Sequence, residues 1–152
     1  MINQFYKFVL VNNSGQLLTY EYNGRLNLKM TGVIVTPATG KLAYANLGDD
    51  AFGFIAASTL AYTAEIESTE IDNTSNLYIN LLVQVEVTHD EGAAADGTFD
   101  LYYSSGDATG ELEVDADGYN SAELNKLTFV GSLVWESTAV DDELVRSPVF
   151  TV

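Results

Sequence analysis

The chain has 152 residues, 47% of them apolar, enough for one domain with a buried core, and it lacks Cys, which excludes disulfide scaffolds, thiol catalysis and Cys-based zinc sites. Six basic side chains against 22 acidic ones give a net charge of −16, a surface that repels nucleic-acid phosphates and anionic membranes. No run of about 18 apolar residues is present to span a bilayer, so a soluble protein that binds neither nucleic acid nor membrane is expected.

In chain order, residues 5–11 (Phe-Tyr-Lys-Phe-Val-Leu-Val) read as a first strand. No basic region precedes it and Asn12-Asn13-Ser14-Gly15 follows as a turn, so no signal peptide is expected. Strands at 16–22 and 25–31 follow, joined by Asn23-Gly24, which suits a type I′ turn because both central residues need positive φ; the three are expected to form a meander. Strands are also expected at 33–36, 41–45 and 59–68, with a short helical turn at 50–57. From 77 to 87 every odd position is apolar (Leu77, Ile79, Leu81, Val83, Val85, Val87) and the even positions are mostly polar, the period of a strand with one buried face. After a loop at 89–97, residues 98–104 alternate again with Phe99, Leu101 and Tyr103 on one side, so the pair is expected as a hairpin with a long connection. Further strands are expected at 111–114, 127–136 and 147–152. No stretch sustains a 3.6-residue period. The expected fold is all-β, a β-sandwich or jelly roll of about ten short antiparallel strands with little or no helix, in a single domain covering 1–152.

Charge is unevenly distributed. Residues 1–60 hold Glu21, Asp49 and Asp50 against Lys7, Arg25, Lys29 and Lys41, a net of +1, while the remaining residues carry −17. Either a β domain simply has an acidic solvated face, or the near-neutral part docks on a partner while the acidic part faces water, since charge is depleted from interface cores.

Candidate chemistry is thin. His89 is the sole His and lies beside Asp90-Glu91, which could poise it for proton transfer, although a surface loop His is the commoner case and the preferred reading. Ser104, Ser105 and Ser132 lack the local signature of a nucleophile, and a carboxylate pair chosen from so many acids carries no information. Catalysis, and any cofactor, is therefore not expected. The run from Glu113 through Asp115, Asp117, Gly118 and Asn120 approaches a calcium loop, but position 12 falls on Leu124, one residue after Glu123, so the bidentate closing ligand is missing. An acidic β turn and a weak calcium site at Glu113, Asp115, Asp117 and Asn120 both fit. Two Asn-x-Ser matches, at Asn12 and Asn73, are about what chance provides in a chain of this composition. Nine Tyr and Trp135 raise a carbohydrate platform as an alternative, with Tyr20 and Tyr22 on one strand face and Tyr102 or Tyr103 pointing outward; core or subunit-interface use is the commoner fate of such Tyr.

The run from Asn76 to His89, then Gly-Ala-Ala-Ala-Asp-Gly-Thr-Phe-Asp-Leu-Tyr-Tyr-Ser-Ser, an acidic Gly-containing stretch and the closing Arg146-Ser-Pro-Val-Phe-Thr-Val152 resemble β-sandwich virion proteins of tailed bacteriophages. The segment Val11-Asn-Asn-Ser-Gly-Gln-Leu-Leu18 is similar to another that such proteins carry. The resemblance covers about half the chain and rests on turn and strand grammar. It implies a noncatalytic capsid decoration or head-fibre protein on the virion surface that binds the major capsid protein shell and forms a homo-oligomer, often a trimer. On that basis Lys7, Arg25 and Lys29 are candidate capsid contacts, and Tyr20 and Tyr22 a candidate interface or glycan platform. An extracellular carbohydrate-binding or adhesin module is the second reading and a β-fold polysaccharide hydrolase the third.

Overall fold

The computed structural model describes residues 5–15, 18–20, 26–47, 58–60, 65–68, 71–75, 77–88, 96–106, 127–135 and 144–152. Every element among them is a strand, and every pairing is antiparallel. The strands are β1 (Phe5–Asn13), β2 (Leu18–Tyr20), β3 (Leu26–Thr36), β4 (Lys41–Asn46), β5 (Ser58–Leu60), β6 (Glu65–Glu67), β7 (Ile71–Asp72), β8 (Asn80–Thr88), β9 (Gly97–Gly106), β10 (Thr128–Trp135), β11 (Leu144–Arg146) and β12 (Phe150–Thr151). They form two five-stranded sheets and a two-stranded ribbon of β2 and β5. The first sheet runs β10-β9-β1-β6, with β7 also on β1, and the second β11-β8-β3-β4, with β12 also on β8.

The sheets face each other across one apolar core. Tyr6, Phe8 and Leu10 from β1, Phe99 and Leu101 from β9 and Leu133 from β10 meet Leu28 and Met30 from β3 and Leu81, Val83, Val85 and Val87 from β8. This is the β-sandwich that the alternating patterns predict, with the odd-position apolar face of β8 buried as expected. β1 is apolar on both faces because it lies inside its sheet: Val9 and Val11 point away from the core and are buried with Tyr102 and Leu127.

Pairing differs from expectation in three places. Residues 5–31 do not form a meander, since β1 pairs β6, β7 and β9, β2 pairs β5, and β3 pairs β4 and β8. β8 and β9 are not a hairpin either; they belong to opposite sheets. Each strand presents its apolar side chains to the same core from opposite sides, which a hairpin within one sheet would not allow. Last, Leu77 does not continue the inward face of β8: it has φ +52 and is exposed, while Tyr78 is buried. Asn73 explains the reversal. Its Oδ1 accepts from the Tyr78 N–H at 2.8 Å, its Nδ2 donates to the Tyr78 carbonyl at 3.2 Å, and its own carbonyl accepts from the Leu77 N–H at 3.1 Å. The clasp turns the chain ahead of β8 and lays the Tyr78 ring against Gly32, where a Cβ would collide with it. Elsewhere the strands expected at 25–31 and 33–36 are one, β3, and that at 59–68 is two, β5 and β6. The strand expected at 111–114 and the helical turn expected at 50–57 lie outside the described residues.

Candidate docking surface

β1 and β3 carry the two candidate contacts that can be placed, and they put them on opposite sides. Lys7 projects from the outer face of the first sheet and pairs with Glu67 at 3.4 Å. Lys29 lies between Leu28 and Met30, which are both core, so it projects from the outer face of the second sheet, where it meets Glu86 at 2.9 Å. The structure does not bring them together into one basic patch. Arg25 and Tyr22 lie outside the described residues, as do His89 and the loop with Glu113, Asp115, Asp117 and Asn120; Tyr20 closes β2, opposite Ser58 of β5.

Polar side chains that resembled chemistry in the sequence are used to hold strands. Ser132 donates through its hydroxyl to Asp100 Oδ1, and Asn13 Nδ2 donates to Asp100 Oδ2 at 2.6 Å, so one carboxylate ties β1 and β10 across β9. Beside it Tyr102 has its hydroxyl pKa raised, first by burial and then by the Asp100 charge. Ser104 is buried. Neither Asn-x-Ser match presents a free amide: Asn12 is buried and accepts from the N–H and hydroxyl of Ser14, and Asn73 forms the clasp described above. Among the described residues no group of three or more His, Asp or Glu is placed to hold a metal ion.

Glu86 escaped the sequence reading because it occupies an even, outward position of β8. It is nonetheless fully buried, bridged by Lys29 from β3 and by Arg146 Nε from β11. Burial pushes its pKa up, but the hydrogen bonds and charges of Arg146 and Lys29 outweigh that and hold the carboxyl below its ordinary range. The three side chains bind β11, β8 and β3 together on the outer face of the second sheet.

Large apolar side chains stand exposed on both outer faces. On the first sheet Phe129 and Val134 of β10 are 56% and 61% exposed, with the Phe129 ring edge-on to Tyr102 at 5.5 Å. On the second sheet Val33 and Val35 of β3 stand opposite Tyr44 and Leu42 of β4, and Leu42 and Tyr44 are 55% and 64% exposed. The signal for the latter was present in Lys-Leu-Ala-Tyr-Ala-Asn. Ala43 and Ala45 alternate with the large residues, and Ala45 packs on the core, so the small side chains face inward and the large ones outward. These surfaces can bind a partner by burial of apolar area, and among the described residues β4 is the outermost strand of its sheet. Compared with protein-family models, curated proteins and solved structures, the chain matches none.

Proposed function

We propose that the chain is a noncatalytic structural protein of a tailed-phage virion, a capsid decoration protein that binds the shell of major capsid protein and lies on the capsid surface as a homo-oligomer. The observation that carries this reading is the outer surface of the sandwich, where Phe129, Val134, Leu42 and Tyr44 are exposed while Glu86 and Asp100 are engaged in holding strands. A surface with apolar side chains on both faces suits a protein that is covered on assembly. The sequence resemblance of residues 76–152 to virion β-sandwich proteins supports the same reading. Quantitative mass spectrometry of purified particles tests it: the chain is expected in a fixed stoichiometric ratio to the major capsid protein, and absence from particles refutes the proposal.

The exposed Tyr44 and Phe129 rings favour a second reading, a carbohydrate-binding or adhesin module that uses them as stacking platforms. The isolated chain would then bind glycans, and Tyr44→Ala or Phe129→Ala would abolish binding on a glycan array. A decoration protein would show no such affinity.

A further inference from the structure

Strand edges that lack a partner are templates for pairing with another chain, and proteins blunt those they do not use. Three of the four sides of the two large sheets are blunted among the described residues. β6 is 3 residues long and carries Glu65 and Glu67, with the 2-residue β7 beside it. β11 and β12 have 3 and 2 residues, and Arg146 closes the former. β10 is longer but is kinked by a bulge between Phe129 and Gly131. β4 differs from all of these. Its 6 residues pair with β3 in unbroken register, contain no Pro, and carry a single charge, Lys41, at the start of the strand. Its outward face carries Leu42 and Tyr44.

Charge marks the same place. Residues 26–47, the β3–β4 hairpin, contain Lys29 and Lys41 and no acid, in a chain of net −16. Two copies of so acidic a protein repel over most approaches, and an acid-free edge is where they meet at least cost. A strongly acidic partner would find only Lys41 here, since Lys29 is engaged with Glu86, and a basic partner would be drawn to the acid-rich remainder instead. A nearly uncharged apolar strand edge fits a copy of itself.

We propose that β4 is a self-association edge, pairing antiparallel with β4 of a second copy across a two-fold axis so that the two second sheets become one continuous sheet. A two-fold perpendicular to the sheet keeps outward faces together, so even-numbered residues stand opposite even-numbered ones. The register centred on Ala43 sets Leu42 of each copy against Tyr44 of the other, giving two aromatic–aliphatic cross-strand pairs. Such a contact builds a dimer, in place of the trimer that the resemblance implies. The inference stands apart from the virion reading, since it concerns the isolated chain in solution.

Sedimentation velocity of the full chain between about 1 and about 100 μM tests it. The expected result is a concentration-dependent dimer that tightens as salt is raised from about 20 to about 500 mM, because salt screens the repulsion between two polyanions. Leu42→Lys/Tyr44→Lys should weaken it about 100-fold or more, because each charge enters the contact twice, while the exposed positions leave the urea midpoint unchanged. Since the chain has no Cys of its own, Leu42→Cys and Tyr44→Cys proteins can be mixed and oxidised. Directly opposed residues lie about 4.5 to 5.5 Å apart at Cα, within disulfide reach, so the mixture should give more linked dimer than either variant alone. A monomer throughout the range, a trimer, a dimer indifferent to the Lys substitutions, or no excess cross-linking in the mixture each overturns the proposal.

Discussion

The buried carboxylate of Glu86 predicts an asymmetry between the members of one ion-pair cluster. Its side chain is 1% exposed, whereas those of Lys29 and Arg146 are 39% and 53% exposed. In Glu86→Gln both cations can turn to water, so the loss is that of charge-assisted hydrogen bonds, about 1.5 to 3 kcal/mol. In Lys29→Met/Arg146→Met the carboxylate remains inside with no cation, a situation that costs about 3 to 5 kcal/mol. The triple variant, which removes the stranded charge, should regain about 2 kcal/mol over the double, because the three side chains are coupled and not additive. Urea unfolding at pH 7 followed by far-UV circular dichroism measures all three. A double variant no less stable than Glu86→Gln, or a triple no more stable than the double, refutes the reasoning. The pH dependence follows from the lowered pKa of Glu86. A carboxyl that titrates lower in the folded chain than in the unfolded one contributes its full stability above about pH 5 and loses it as pH falls below about 4. The gap between the wild type and Glu86→Gln should therefore narrow through that window, and a gap of constant size would contradict the assignment.

Four further outcomes are expected. A Cβ at Gly97 would strike the main chain of Ser14, whereas one at Gly131 would strike the Phe150 ring, which can turn; Gly97→Ala should therefore lower stability by more than the roughly 1 to 3 kcal/mol expected of Gly131→Ala, as denaturant midpoints will show. Tyr6 is buried with its hydroxyl lacking a hydrogen-bond partner among the described residues, and burial raises its pKa beyond the ordinary Tyr range. Tyr6→Phe should leave stability unchanged or raise it by about 1 kcal/mol, and a loss of that size would reveal a partner for the hydroxyl. Asn73→Ala should cost about 2 kcal/mol or more by opening the clasp on Tyr78, with Asn73→Asp losing less because the acceptor to the Tyr78 N–H is kept; equal losses would count against the clasp. For calcium, a site at Asp115 and Asp117 with a Kd near 1 mM would add only about 1.4 kcal/mol at about 10 mM metal, and a much larger thermal shift abolished by Asp115→Asn/Asp117→Asn would establish a true metal site.

The sandwich class was legible because side-chain direction is a local property. The alternation of Leu81, Val83, Val85 and Val87 determines which face of β8 enters the core, and Phe99 and Leu101 do the same for β9. Pairing was not legible, because nothing within a strand names its neighbour. Residues 77–104 carry the periodicity of a hairpin whether β8 and β9 lie side by side or in opposite layers. Leu77 and Tyr78 were misread because a side chain five residues earlier, Asn73, resets the phase. Glu86 shows another limit: an even position predicts an outward direction, but outward became buried once Lys29 and Arg146 closed over it. Leu42 and Tyr44 show the reverse, large apolar residues turned out because Ala45 fills the inward side.

The pairing of β1 has a consequence for biosynthesis. Its long ladder is with β9, where Phe5 stands opposite Gly106 and Asn13 opposite Thr98, so once made it must wait for about a hundred further residues before its main partner exists. At roughly 5 to 20 residues per second, translation alone imposes a delay of about 5 to 20 s. Throughout that interval Phe5-Tyr-Lys-Phe-Val-Leu-Val11, apolar on both faces and guarded by a lone Lys7, is a nascent segment able to pair with its like on neighbouring ribosomes. Yield in overexpression should consequently depend on synthesis rate and on chaperones that hold extended apolar chain, more steeply than the equilibrium stability of the finished sandwich would suggest.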